Sequence, residues 1–180
     1  LKEVNLASAN LSAEGLRKLQ EAHPELEINF DPLVVVGLGH LQSRGARCEL
    51  DDNFEAVALS LRGTEATEGD LELVKELTSL KRLDLQGLEI EDEALNVLEK
   101  LKVLEFLNLS GTGITDAGLV KLKHLSSLKR LDVRRTVVTD ANLGELQELK
   151  SLEHLDLRNT EVTVAGLEQV GELKKLQALF

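Results

Sequence analysis

Residues 104–127 read LEFLNLSGTGITDAGLVKLKHLSS, and the same pattern returns at a step of 24 residues on both sides. Residues 80–103 are LKRLDLQGLEIEDEALNVLEKLKV, 128–151 are LKRLDVRRTVVTDANLGELQELKS, and 152–175 are LEHLDLRNTEVTVAGLEQVGELKK. One step back, residues 56–79 give AVALSLRGTEATEGDLELVKELTS, with a weaker first position, and Leu176 opens a further copy. Self-similarity at a period of 20–50 residues is the signature of a stacked repeat architecture. Two shorter periods sit inside each copy. Leu107 and Leu109 alternate around Asn108, the pattern of a strand with one buried face. Leu119, Leu122 and Leu125 then recur every three residues, the stripe of a helix or tight helical segment, with Thr115 and Asp116 placed to cap its start. A single strand–turn–helix unit cannot bury its own leucines, so each must stack on its neighbours.

The pattern LxxLxLxxTxITDxGLxxLxxL resembles a leucine-rich repeat, nearest to the cysteine-containing subtype of bacterial type, with Thr in place of the ladder cysteine. Thr64, Thr112, Thr136 and Thr160 stand at that site, whereas Leu88 departs from it. The following motif is Ile114-Thr115-Asp116 and Val138-Thr139-Asp140, and it is degraded at Val162-Thr163-Val164. The resemblance implies an α/β fold: a leucine-rich-repeat solenoid, curved as a right-handed β/α superhelix, with parallel strands lining the inside. It implies a structural role for the Thr row, whose hydroxyls bond neighbouring backbone; Leu88 cannot do so, and its copy is expected to be looser. It says little about chemistry, because such repeats host unrelated binding tasks.

Residues 1–30 fit one more copy, the end of an upstream array. Its Leu1, Val4, Leu6, Leu11, Leu16 and Leu19 match Leu104, Leu107, Leu109, Ile114, Leu119 and Leu122. Asp31-Pro32 is the clearest break. Residues 33–42 suit a buried helix stopped near Gly45, and residues 47–50 and 55–61 suit a hairpin joined by Asp51-Asp52-Asn53. Residues 31–55 are thus expected to form a helix-plus-hairpin cap before the main array of 56–180, five full repeats and a partial one. The parent chain is expected to be longer, and the open end after Phe180 offers an edge for homo-association.

Composition narrows the function. The chain has 180 residues, 42% of them hydrophobic, and its only aromatics are four Phe, so the core must be aliphatic. Lys and Arg total 21 against 32 Asp and Glu, a net charge of −11 that works against nucleic acid and anionic lipid. No apolar stretch approaches the roughly 18 residues of a spanning helix, so membrane insertion is not expected. Cys48 is the sole cysteine and the four His are scattered, which leaves no set with metal-ligand spacing. Val34-Val35-Val36-Gly37-Leu38-Gly39 resembles a dinucleotide-binding turn, but Gln42 stands where the third Gly is required. No nucleophile elbow, phosphate loop or carboxylate pair appears, and neither cofactor nor metal is expected.

What remains is the strand side. Residues between the inward leucines project onto the sheet. Ser60, Asp84, Asn108, Asp132 and Asp156 form one row, Arg62, Gln86, Ser110, Arg134 and Arg158 the next, and Ala58, Arg82, Phe106, Arg130 and His154 the row before. A plain reading is a solvated sheet whose Asp and Arg neutralise one another. The functional reading is a non-catalytic protein–protein interaction module that holds a protein partner on this face. Arg82, Asp84, Phe106, Asn108, Arg130, Asp132, Arg134, His154, Asp156 and Arg158 would make the contacts, and Phe106 would be the anchor. Phe106→Ala or Arg134→Glu is then expected to weaken a partner about tenfold without lowering the melting temperature. The competing reading is a scaffold or sensory segment of a larger multidomain protein whose enzymatic part, a kinase or ligase for example, lies elsewhere.

Overall fold

The structure is a computed structural model that describes residues 21–22, 32–52 and 55–180. The expected repeat at 1–30 lies outside the described residues apart from that two-residue helical fragment. Helix α1 (Pro32–Ser43) leads into strands β1 (Arg47–Leu50) and β2 (Ala56–Ser60). Single short strands follow at repeat spacing: β3 (Arg82–Asp84), β4 (Phe106–Asn108), β5 (Arg130–Asp132), β6 (His154–Asp156) and β7 (Ala178–Leu179). The Val34–Gly39 stretch lies wholly within α1, so its glycines belong to a helix and not to a nucleotide-binding turn.

All seven strands join one sheet in chain order. β1 is antiparallel to β2, and every later pairing is parallel. The register places Leu59, Leu83, Leu107, Leu131, Leu155 and Leu179 directly beside one another, as the 24-residue period requires. Leu83, Leu107 and Leu155 have no exposed surface, and the buried leucines run without a break from Leu38 and Leu41 on α1 to Leu173. Each such side chain contributes about 1.5–3 kcal/mol of burial, none of which an isolated repeat could collect.

The return segments are mostly short 3₁₀ helices: Val74–Glu76, Asp92–Lys100, Leu122–His124 and Leu143–Glu148. The three-residue spacing of the apolar positions explains this. A 3₁₀ helix has three residues per turn, so Leu95, Leu98 and Leu101 lie on one face, and all three are buried. Within the described repeats, α-helix occurs at α2 (Glu68–Leu71), α3 (Asp116–Lys121) and α4 (Val164–Val170). The turn after each strand needs a left-handed residue. Gly63, Gly87 and Gly111 supply it at φ near +70°, but Arg135 and Asn159 hold the same position at φ 55° and 57°.

The Thr row bonds within its own turns. The hydroxyls of Thr64, Thr112, Thr136 and Thr160 donate to the carbonyls of Leu61, Leu109, Val133 and Leu157 at 2.6–2.7 Å. The Leu88 copy is not opened by the missing hydroxyl. Leu88 N–H meets Leu85 O at 3.2 Å, the same separation as at Thr64 and Thr160, and its buried side chain fills the turn.

Neighbouring repeats are also stapled by carboxylates. Asp92 accepts the N–H of Thr115 at 2.9 Å and its hydroxyl at 2.6 Å, and Asp116 and Asp140 hold Thr139 and Thr163 in the same way. Thr115 and Thr163 meanwhile cap their own helices by accepting from Ala117 and Ala165 N–H at 3.2 Å. The motif Thr-Asp is therefore a two-way connector: Thr donates to the Asp of the preceding repeat, and Asp accepts from the Thr of the next. In the first repeat the carboxylate comes from its own turn. Asp70 binds Thr67 through both backbone and hydroxyl, and is held by His40 Nε2 of α1 at 2.9 Å and by Arg44, just beyond that helix, at 3.4 Å.

Candidate functional site

The three polar rows read from the sequence lie side by side on the sheet face. Ala58, Arg82, Phe106, Arg130, His154 and Ala178 are paired in register, as are Ser60, Asp84, Asn108, Asp132 and Asp156. Their environments separate them into two kinds.

The Asp/Asn row is largely occupied with holding the chain together. Asp84, Asn108, Asp132 and Asp156 each accept the backbone N–H two residues on, at 3.0–3.2 Å, which turns the strand end in an Asx-type loop. Asn108 is also buried, as is Ser110 beside it, so Asn108 does not offer the open contact surface expected of it. Arg134 donates from Nε to Asp132 at 3.0 Å, sets a second nitrogen 2.9 Å from the same carboxylate, and stands 3.4 Å from Asp156. Arg158 grips Asp156 through Nε and a terminal nitrogen at 2.9 and 2.6 Å. Burial works to raise the Asp156 pKa, but the Arg158 bonds and charge, with Arg134, hold it below the usual carboxylate range. Arg134 is thus the tie between two like charges on adjacent strands. Its reversal to Glu would set a third carboxylate against them, so it is not the neutral probe of binding expected from sequence.

The Arg82–Phe106–Arg130 row is different. Phe106 is half-buried, and the Arg82 guanidinium lies over its ring at 4.6 Å from the centroid. Arg130, on the other side of Phe106, is exposed, and its side chain makes no hydrogen bond or ion pair among the described residues. His154 completes the row with a buried Nδ1 that has no hydrogen-bond partner. Before this row, Lys129 binds Glu105 at 2.8 Å, so that charge is internally matched.

Elsewhere the chemistry is sparse. Among the described residues no group of His, Cys, Asp and Glu could hold a metal ion, and no helix is long and apolar enough to cross a membrane. Cys48 sits on β1, and burial, helped by Glu49, pushes its thiol up to about 11. A thiol held protonated in this way is a poor nucleophile.

A sequence profile described as Leucine Rich repeat matches residues 100–123 and 148–171, two segments 48 residues apart, which is twice the internal period. No curated protein matches the sequence at a significant level. The crystal structure of internalin C2 from Listeria monocytogenes is similar over 86% of this chain and 56% of that one, with a TM-score of 0.56 at 16% identity. A second Listeria internalin gives a TM-score of 0.49 at 17% identity over 84% of this chain and 44% of its own. A leucine-rich-repeat protein from Leptospira interrogans gives 0.48 at 26% identity over 61% and 27%. The chain therefore spans about half the length of the internalins it matches. The profile identifies the repeat type, and the internalin C2 likeness extends the fold across most of the chain. With strands in unbroken register and return segments behind them, this protein carries leucine-rich repeats and is folded as a leucine-rich-repeat solenoid.

Proposed function

We propose that the protein is a non-catalytic interaction module that holds a protein partner against the face of its sheet. One observation carries this reading. The side chains of Arg82, Phe106 and Arg130 form a contiguous row that makes no hydrogen bond or ion pair with other described residues, while the adjacent Asp/Arg row is occupied by internal bonds. A sheet needing only solubility would be served by the paired rows alone. An exposed Arg beside a half-buried aromatic is the combination that most often concentrates binding energy at protein interfaces. The fold adds rigidity, because β2 to β6 are each fixed by two neighbouring strands and little ordering entropy remains to be lost on binding.

In this reading residues 31–55 cap the array of 56–180. α1 packs Leu38 and Leu41 into the core, β1 closes the first edge of the sheet, and Asp70 is anchored to α1 where later repeats use an Asp from the repeat before.

The test is affinity capture with the wild-type protein and with Phe106→Ala/Arg130→Glu, followed by titration calorimetry on whatever is captured. The double variant should lose about tenfold or more in affinity with an unchanged melting temperature, whereas Lys123→Glu on the helical side should bind as wild type. Equal affinity of the double variant and the wild type would remove the sheet-face reading.

A further inference from the structure

The charge on the sheet face has the opposite sign to the rest of the molecule. Along the three rows, Arg62, Arg82, Arg130, Arg134 and Arg158 outnumber Asp84, Asp132 and Asp156 by five to three, and Lys81, Glu105, Lys129 and Glu153 on the row before cancel. The face therefore carries two more positive than negative charges in a chain whose net charge is −11. The excess is concentrated. Arg134 and Arg158 are consumed by Asp132 and Asp156, which leaves Arg62, Arg82 and Arg130 against the single carboxylate of Asp84, and two of these three cations flank Phe106.

We infer that the partner presents an acidic protein segment, with two carboxylates placed on either side of an apolar side chain. The inference rests on the sheet-face reading above and names the chemistry of its occupant. Adjacent strands are about 4.8 Å apart, so the α-carbons of Arg82 and Arg130, two strands apart, are separated by about 10 Å. Carboxylates one heptad apart on a helix stand about 10.5 Å apart, with an apolar residue at i+3 or i+4 between them. Such a segment sets one carboxylate on each guanidinium and its apolar side chain on the Phe106 ring. Guanidinium matches carboxylate through paired N–H donors. The cluster is short: three cations on the face of an acidic protein suit a local acidic segment and oppose a long polyanion, whose flanking phosphates would meet the −11 field.

The measurement is fluorescence anisotropy with two labelled probes at physiological ionic strength. One is a helical peptide with Glu at i and i+7 around a central Leu; the other is a flexible glutamate–leucine copolymer. Their Gln-for-Glu counterparts and a single-stranded oligonucleotide serve as comparisons. At least one acidic probe should bind, and its Gln counterpart should bind about tenfold more weakly or worse. Arg130→Glu and Arg82→Gln should each weaken the acidic probe, Arg130→Glu by about tenfold, whereas Lys174→Glu, which changes the net charge equally away from the face, should shift it less than about twofold. Thermal melts of the same variants exclude loss of fold. No binding of either acidic probe, equal binding of the Gln peptides, preference for the oligonucleotide, or equal weakening by Lys174→Glu would each overturn the inference. The sheet-face reading fails separately, only if a captured partner ignores Phe106→Ala/Arg130→Glu.

Discussion

Gly118 is one of two glycines, with Gly166, at which the stacking of one repeat on the next is sharply constrained. A methyl group on its α-carbon would lie 2.4 Å from Asp92 Oδ1 and 2.4 Å from Ile114 Cγ2, far inside contact distance. Asp92 cannot retreat freely, because it holds the N–H and hydroxyl of Thr115 at 2.9 and 2.6 Å. Gly118→Ala must break that staple or displace the buried Ile114. Hydrogen bonds to a charged group are each worth about 1.5–3 kcal/mol, and partial exposure of Asp92 reduces their joint value to about 2 kcal/mol. Overpacking against Ile114 adds about 1–3 kcal/mol, while alanine's better helix propensity returns about 1 kcal/mol. The net cost is about 3 kcal/mol, or a melting temperature lower by about 6–12 °C in a chain of this size. Gly144→Ala is the matched comparison: its methyl would meet only the flexible end of Gln169 at 3.3 Å, and a change near zero is expected. Gly118→Ala/Asp92→Ala should be less destabilised than the sum of its single variants, since the clash and the staple share an atom. Urea and thermal denaturation measure all four proteins. A Gly118→Ala variant as stable as the wild type would refute the proposition that these carboxylates bind the repeats together.

Three further outcomes are expected. The Thr163 hydroxyl, then its N–H, with Gly166 N–H as a further donor, holds the Asp140 carboxyl below its ordinary range. The unfolded chain therefore binds more protons than the folded one below about pH 4, so this stabilisation is complete above that value and is lost as pH falls; a urea midpoint that drops between pH 5 and 3 as steeply in Asp140→Asn as in wild type would contradict it. Cys48, with its thiol raised from 9.0 to about 11, should react with an aromatic disulfide about 100-fold more slowly in the native protein than in urea at pH 8, and equal rates would show that the thiol is not held in this way. Arg135, at φ 55° where three other repeats have Gly, should be replaceable: Arg135→Gly is expected to stabilise the protein by about 1 kcal/mol in thermal melts, and a loss of stability would mean that its side chain makes an essential contact.

The fold was readable from sequence because one period governs it. Leucines at Leu83, Leu107, Leu131 and Leu155 must coincide once each unit depends on its neighbours, and the three-residue spacing of the return segments already contains the 3₁₀ turn. The Asp staple was less legible. Asp116 in a Thr-Asp pair reads as a local cap, and only geometry shows its carboxylate reaching 23 residues ahead to Thr139. The sheet face was read correctly as rows but not as environments. Arg130 and Arg134 are the same residue type four positions apart, yet the side chain of one has no partner among the described residues and the other bridges two carboxylates. A sequence signal does separate them: Arg134 and Arg158 follow an Asp by two residues, so the chain turn that the Asp builds also brings the guanidinium back to it. Asn108 was misjudged as open because its position in the row says nothing about its burial beside Gln86 and Ser110.

The most direct measurement is photocrosslinking in the presence of the partner, with a photoreactive phenylalanine analogue placed at position 106 on the sheet or at position 123 on the helical side. Adduct formation is expected at 106 and not at 123. Adducts confined to 123 would place the partner on the opposite side of the solenoid and contradict the proposed binding face.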